Sequence, residues 1–368
     1  MNGLEKFIKR VKGKSQRKFL DVYLFYTFLK RQFNRKKITD TSSPCVWLDI
    51  NGNSYIRFSY MVTKYLEIEG YQVYLKPNLK FLLSLGDPYA KLIIEENKTL
   101  FSSKIPKNAI AIFSDKTSEM EQFKFISNDY YSTIFNEPEN SYHVPLGLHP
   151  NMYKKGLWNQ PINHANKKLS IFFAGNFDEF EYKRLAKQKK FKMLDRVSLL
   201  KLIESLPNST FPKTYKALLA DAKDGQIDIV NQADFRVSEE SLRQTIANYY
   251  FFIACPGVVS PLSHNLFEAM SVGAIPIIHQ LYADMFNPKL ENYKNAIIYS
   301  DNNFADKLKE ALEFSTEQAD AMGKNVIDYY NSNSTPKAIV KNLIDPKYKY
   351  YFLSAGRTSV NLFKGENA

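Results

Sequence analysis

At 368 residues the chain has room for two domains of ordinary size, and with 44% hydrophobic and 14% aromatic residues it can bury substantial cores. Its two cysteines, Cys45 and Cys255, lie far apart in sequence beside apolar runs, so they provide neither a disulfide framework nor metal-ligand spacing and point to a reducing cytoplasm. The formal charge of +12 is unevenly placed: residues 1–40 carry twelve Lys/Arg against three Asp/Glu, a basic arm on a near-neutral body.

In that arm Leu4, Phe7, Ile8 and Val11 follow the helical period, with Lys6, Lys9, Arg10 and Lys12 on other faces. A second run places Phe19, Val22, Tyr23, Tyr26 and Phe33 among Arg17, Lys18, Lys30, Arg31, Arg35, Lys36 and Lys37. Basic amphipathic helices of this kind lie on anionic membranes, each cation near the surface contributing about 1 kcal/mol. The alternative is an ordinary helix whose apolar face packs on the domain. Nucleic acid is the third reading of a basic arm, but no nucleic-acid-binding motif accompanies it. No secretory signal follows the charged start, and no apolar run reaches the roughly 18 residues that a membrane span needs.

The globular body starts at Pro44. Cys45 to Ile50 predicts a strand, Asn51 to Ser54 a turn, Tyr55 to Glu69 a helix ended by Gly70, and Gln72 to Leu75 a second strand. This opening is Rossmann-like, but its loop has one glycine rather than G-x-G-x-x-G, which argues against a dinucleotide. An apolar run from Leu79 to Leu85 ends at Gly86-Asp87-Pro88. Ala109 to Phe113 predicts a buried strand, with Asp115 just past its end. Tyr142 to Leu146 predicts the last strand of a first domain, and the chain crosses at Leu146 to Pro150.

The second half opens with an apolar strand, Leu169 to Ala174, running into Gly175 and Asn176. A basic stretch follows, with Lys183, Arg184 and then Arg196. Helices are expected over Asp195–Leu206 and Tyr215–Ala222, a strand over Gln226–Val230, and a helix capped by Ser238 that leads to Asn248. On that helix Arg243 faces either a cleft or solvent. Beyond residue 290, Ala296–Tyr299 predicts a strand, and Phe304–Phe314, Gln318–Tyr330 and Lys337–Ile344 predict helices.

The most informative stretch is Tyr249 to Phe286. Tyr250 to Ala254 predicts a buried strand and Cys255 to Leu262 a loop punctuated by Pro256, Gly257, Ser260 and Pro261. From Ser263 the pattern turns helical, with Leu266, Phe267 and Met270 on one face, until Gly273 stops it; Ala274 to Ile278 predicts another buried strand. In such a strand–loop–helix–strand unit the helix N-terminus sits at the strand's carboxyl edge, where unpaired N–H groups suit a phosphate. Ser263, His264 and Asn265 are placed to add side-chain donors, and Glu268, a turn later, to accept two ribose hydroxyls. A second reading makes Asn265-x-x-Glu268 a capping box that needs no ligand.

Residues 255–278 resemble the nucleotide-sugar site of glycosyltransferases of the GT-B fold, and among them the exostosin-type family. Cys255, Pro256, Ser260, Pro261, Leu266, Phe267, Glu268, Ala269, Gly273, Ile275, Pro276 and Ile278 carry the resemblance. The basic residue usual just before the helix is absent, and His264 and Asn265 stand in its place. The resemblance implies an α/β chain with two Rossmann-like domains facing a central cleft. The expected division is a helical arm over 1–43, an acceptor domain over 44–150, a donor domain over 151–345, and a tail over 346–368 that returns to the first domain. It implies that the strand running into Gly175 and Asn176 approaches the donor phosphates and that a basic residue after it, Arg196 or Arg184, neutralises the diphosphate.

It also implies an inverting, metal-independent transfer from a UDP- or GDP-linked sugar to a glycan or lipid-linked glycan, with no cofactor. The base that deprotonates the acceptor is then sought at strand ends, with Asp49, Asp115 and His143 as candidates and Asn51, Asn53 and Arg57 as acceptor-side neighbours. No Asp-x-Asp and no His/Cys/carboxylate cluster suggests a metal site. With the basic arm, the expectation is a cytoplasmic enzyme peripheral to the inner membrane, making bacterial surface polysaccharide or glycolipid. Two alternatives stay open, a nucleotide-sugar epimerase of the same fold and a non-catalytic carbohydrate- or membrane-binding scaffold.

Overall fold

The structure is a computed structural model; it describes Tyr23, Tyr26, Phe28 and residues 44–50, 56–77, 87–96, 98–164, 167–182, 190–221 and 223–365. Most of the basic arm, Asn51, Asn53, the run 79–85 and Arg184 lie outside the described residues. The chain forms two compact units. The first holds the described residues up to Asn128 together with Asn140–Tyr142 and Val340–Ala355; the second holds Asp129–Glu139, His143–Ile339 and the residues from Gly356 onward.

The first unit is built on the sheet β3-β2-β1-β4-β5-β13-β6. Its members are β1 (Cys45–Asp49), β2 (Gln72–Leu75), β3 (Leu100–Phe101), β4 (Ala109–Ser114), β5 (Phe123–Ser127), β6 (Ser141–Val144) and β13 (Tyr350–Leu353). The β3-β2-β1-β4-β5 portion is parallel throughout and follows the doubly wound order 3-2-1-4-5. β1 is buried at all five positions, as a central strand covered on both faces must be, which is why its sequence is a continuous apolar run. Helix α1 (Ile56–Ile68) packs against α2 (Pro88–Glu96), where Lys64 pairs with Glu96 and the Tyr60 hydroxyl donates to the same carboxylate.

Within the stretch expected as a tail, β13 pairs in parallel with β5, matching Tyr350 to Phe125, while the residues from Gly356 onward fall in the second unit. Lys124 of β5 secures it. Although a lysine, it is only 3% exposed, because its ammonium donates to the carbonyls of Asp345 and Tyr348, each at 2.7 Å. Of the arm, Phe28 is buried and meets the Phe101 ring edge-on at 5.0 Å, whereas Tyr23 and Tyr26 are exposed.

The second unit carries the sheet β12-β11-β10-β7-β9-β8, also parallel. It comprises β7 (Lys168–Gly175), β8 (Ser209–Thr210), β9 (Ile227–Asn231), β10 (Tyr249–Ile253), β11 (Ile275–His279) and β12 (Ile297–Tyr299). β8 takes the outer edge and β9 lies beside β7, a departure from the 3-2-1 order of a doubly wound sheet. The core is aromatic: Phe172, Phe173, Phe251 and Phe252 are fully buried, and Phe172 stacks on Tyr249 at 4.8 Å. The unit's helices in chain order begin with α3 (Tyr130–Thr133), α4 (Pro150–Lys154), α5 (Arg196–Glu204), α6 (Tyr215–Asp221), α7 (Glu239–Ala247), α8 (His264–Met270) and α9 (Gln280–Ala283). They are followed by α10 (Phe304–Leu312), α11 (Thr316–Asn333), α12 (Pro336–Ile344), whose residues from Val340 belong to the first unit, and α13 (Arg357–Leu362). Among the described residues no helix is long and apolar enough to cross a membrane.

Candidate functional site

In the second sheet the chain leaves β7 toward β9 on one side and toward β10 and β11 on the other, so the loops at the carboxyl ends of β7 and β10 diverge. Ligands of open α/β sheets bind at such a switch point. A cleft of about 440 Å³ opens there. Apolar side chains line part of it, among them Val230, Phe252, Leu242 and Ile246. The polar part comes from Gly175 and Asn176 after β7, Arg196 of α5, Arg236 and Glu239 before and in α7, and Ser263, His264, Asn265 and Glu268 at α8.

Arg196 is 6% exposed and its guanidinium binds the two loops together. Nη1 donates to the Asn176 carbonyl at 3.2 Å and Nη2 to the Pro256 carbonyl at 3.0 Å. Its carbon centre lies 5.0 Å from the Phe173 ring and 4.9 Å from the Tyr182 ring. Asp195, the N-cap of α5, accepts from the Ser198 N–H at 2.7 Å and so sets where this helix begins. Gly175 is glycine for the same reason: a Cβ there would sit 2.7 Å from Arg196 Nη1 and from the Phe173 ring. Pro256 and Ser260 shape the turn before α8, where a Cβ on Gly257 would meet the Ser260 carbonyl at 2.7 Å.

Helix α8 begins at His264, with Ser263 as N-cap and no side-chain cap bond. The Ser263 N–H donates to the Tyr282 hydroxyl at 2.8 Å. The alternative reading, an Asn265-x-x-Glu268 capping box, does not form, because Ser263 is the N-cap and Asn265 is the second residue of the helix. Glu268 is 4% exposed and accepts instead from the His149 N–H at 3.3 Å. The His264 ring faces the Gly147 carbonyl at 2.8 Å through Nδ1, which therefore carries the proton, since a carbonyl can only accept. His264 and Glu268, one helical turn apart, thus grip the segment Gly147–His149, whose bend uses a positive φ at Gly147. Asn265 Oδ1 is buried with no hydrogen-bond partner among the described residues, as is Arg196 Nε.

Arg243 faces neither cleft nor solvent, contrary to expectation. At 7% exposed it donates to Ser271 Oγ and to the carbonyls of Leu157 and Gln160, and burial pulls its pKa down. On the cleft's rim, Glu239 accepts from Asn151 Nδ2 at 2.7 Å and pairs with Lys155 at 2.9 Å. Burial raises the Glu239 carboxyl, but those two hydrogen bonds outweigh it and hold the pKa below its usual value. Arg236, like His149, Gln232 and Glu239, is a cleft residue that sequence reasoning passed over. It is exposed and has no hydrogen bond or ion pair with any described residue. The available signal was a lone arginine in the loop after β9, on the same carboxyl edge of the sheet as Gly175.

The candidates for the base fall in two places. Asp49 and Asp115 belong to the first unit, where Asp49 of β1 is in register with Ser114 of β4; both therefore stand at that sheet's own switch point. Asp49 is 5% exposed and pairs with Lys76 at 2.7 Å, while Asp115 is half-buried. His143 lies on β6, within which the division between the units falls; from His143 the strand counts with the second unit, and the residue is 1% exposed. Its Nε2 lies 2.9 Å from the Thr133 hydroxyl, the Tyr130 ring meets it edge-on, and burial lowers its pKa to about 4. Arg57 lies over the Tyr89 ring at 5.3 Å. Among the described residues no group of three His, Cys, Asp or Glu is placed to hold a metal ion.

No protein-family model matches the chain, and no curated protein is similar to it in sequence. Solved structures align with most of the chain at low identity. A glycosyltransferase from Rickettsia africae aligns over 82% of this chain and 97% of its own at 12% identity, with a TM-score of 0.42. The sucrose-phosphate synthase of Thermosynechococcus elongatus aligns over 82% and 97% at 11% identity and a TM-score of 0.38. The Anabaena protein HepE, solved in complex with UDP-glucose, aligns over 82% and 98% at 8% identity and a TM-score of 0.39.

Proposed function

We propose that the chain is a glycosyltransferase of GT-B type that holds a UDP- or GDP-linked sugar in the second unit's cleft and passes the sugar to a hydroxyl of a glycan or glycolipid. The observation that carries this reading is the make-up of the cleft at the switch point. It combines an apolar wall suited to a nucleobase, a cation at Arg236 that has no partner among the described residues, and a buried polar atom, Asn265 Oδ1, whose missing partner a ligand's donor would supply. The side chains and backbone N–H groups at the cleft would stabilise the departing nucleoside diphosphate without a metal ion. Inversion requires a base for the acceptor hydroxyl, and we retain Asp49 and Asp115 of the first unit for that part.

Calorimetric titration with UDP, GDP and CMP, each with EDTA and with magnesium, tests the proposal. Metal-independent binding of one nucleotide supports it and names the donor class; failure of all three removes it. One observation favours a second reading. His264, Glu268 and the terminal nitrogens of Arg196 already bind the protein itself, as in a non-catalytic scaffold, and that reading gains if glycans bind where nucleotides do not.

We further propose that the basic arm places the protein on an anionic membrane surface, where it contributes to surface polysaccharide or glycolipid synthesis. The exposed Tyr23 and Tyr26 beside the arm's cations support this, while buried Phe28 is a point of packing. Deleting residues 1–22 is expected to lower binding to vesicles containing anionic lipid; unchanged binding removes that segment from the role.

A further inference from the structure

The charged side chains around the second unit's cleft can be matched to partners one at a time. Arg196 gives Nη1 and Nη2 to the carbonyls of Asn176 and Pro256 and lies between two aromatic rings. Its transfer to a ligand would leave those buried carbonyls unsatisfied. Glu239 is matched by Lys155 and Asn151, and Lys155 is matched in turn by Glu239 and Glu240. Glu268 accepts from the His149 N–H, and His264 engages the Gly147 carbonyl. Arg236 stands apart: it lines the cleft, is exposed, and has no hydrogen bond or ion pair with any described residue. A guanidinium in that position presents a planar fork suited to two phosphate oxygens, and engaging it breaks no bond to a described residue.

We infer that Arg236 makes the contact with the anionic part of the ligand, the diphosphate of a nucleoside diphosphate, and that Arg196 is a positioning residue that ties together the loops after β7 and β10. The inference rests on the nucleotide reading of the cleft and deepens it by moving the phosphate contact from the basic residues after β7 to the loop after β9. It also accounts for the missing basic residue before α8. A cation from the loop after β9 fills the role that His264, engaged with Gly147, does not.

The test is calorimetric titration of the full chain and of Arg236→Gln with inorganic pyrophosphate, UDP, GDP, uridine and guanosine. Arg236→Gln is expected to weaken pyrophosphate and the preferred nucleoside diphosphate by about 10- to 100-fold, the effect of losing a charge-assisted hydrogen bond. The salt dependence of that binding falls with it, while nucleoside affinity and the thermal midpoint stay unchanged, and Arg236→Lys recovers part of the loss. If Arg236→Gln binds pyrophosphate and the nucleoside diphosphate as well as wild type does, the inference is overturned and the donor-site reading survives. If wild type binds pyrophosphate in an Arg236-dependent manner but no nucleotide, the anion contact stands and the nucleotide reading fails. Binding of none of these by wild type overturns both.

Discussion

Arg196 Nη1 occupies the space that a side chain on residue 175 would need: a Cβ built on Gly175 falls 2.7 Å from that nitrogen, and as close to the Phe173 ring. The glycine at the end of β7 is thus required by the protein's own arginine, whatever a ligand requires. Gly175→Ala is expected to displace the guanidinium, loosen its bonds to Asn176 and Pro256, and destabilise the protein by about 1–3 kcal/mol, the usual effect of overpacking. Thermal or urea unfolding measures it. A variant as stable as wild type would mean that the two loops do not depend on Arg196.

Glu268 has both a structural and a proposed binding role, and two substitutions separate them. Glu268→Ala leaves the His149 N–H without its acceptor and is expected to destabilise by about 1–3 kcal/mol. Glu268→Gln keeps a carbonyl oxygen for that N–H, so its stability should stay closer to wild type, while a ribose that needs a carboxylate binds less well. Unfolding and nucleotide titration on both variants decide the matter. Wild-type affinity in Glu268→Gln would leave this residue with the structural role alone.

His143 makes a pH prediction whose sign follows from burial. Its pKa is about 4 in the folded protein and 6.5 in the unfolded chain, so the unfolded chain takes up the proton first as pH falls. The stability tied to the neutral ring is present in full above pH 6.5 and is lost progressively toward pH 4, by about 3 kcal/mol across the window. Replacing His143 with Gln should flatten the stability profile between pH 6.5 and 4. An unchanged slope would show that the ring does not stay neutral in the folded state.

Much of the architecture is legible in the chain because parallel strands covered on both faces must be apolar throughout. The runs that became β1, β4, β7, β10 and β11 stand out for that reason, and Gly70 and Gly273 stop their helices at positive φ as expected. β3, β5, β8 and β13 were not legible. β8 is two residues long, and β5 carries Lys124 in its middle, which a sequence reads as a solvated position. That lysine is buried only because two carbonyls some 220 residues later meet its ammonium.

The same division holds at the candidate site. Local pattern was enough to bring Gly175, Asn176, Ser263, His264, Asn265 and Glu268 to one carboxyl edge of a sheet, because a strand followed by a loop and a helix has little choice about where its loop lies. Which of those groups remain available to a ligand was beyond sequence, since availability depends on partners from distant segments. Arg196 found Asn176 and Pro256, Arg243 found Leu157 and Gln160, and Glu268 found His149, while Arg236 found none among the described residues. By itself the sequence determined the α/β class, the strand ends and the composition of the loops at them. Tertiary structure alone decided which charges are neutralised within the protein, because a hydrogen bond between distant segments exists only after the chain has folded.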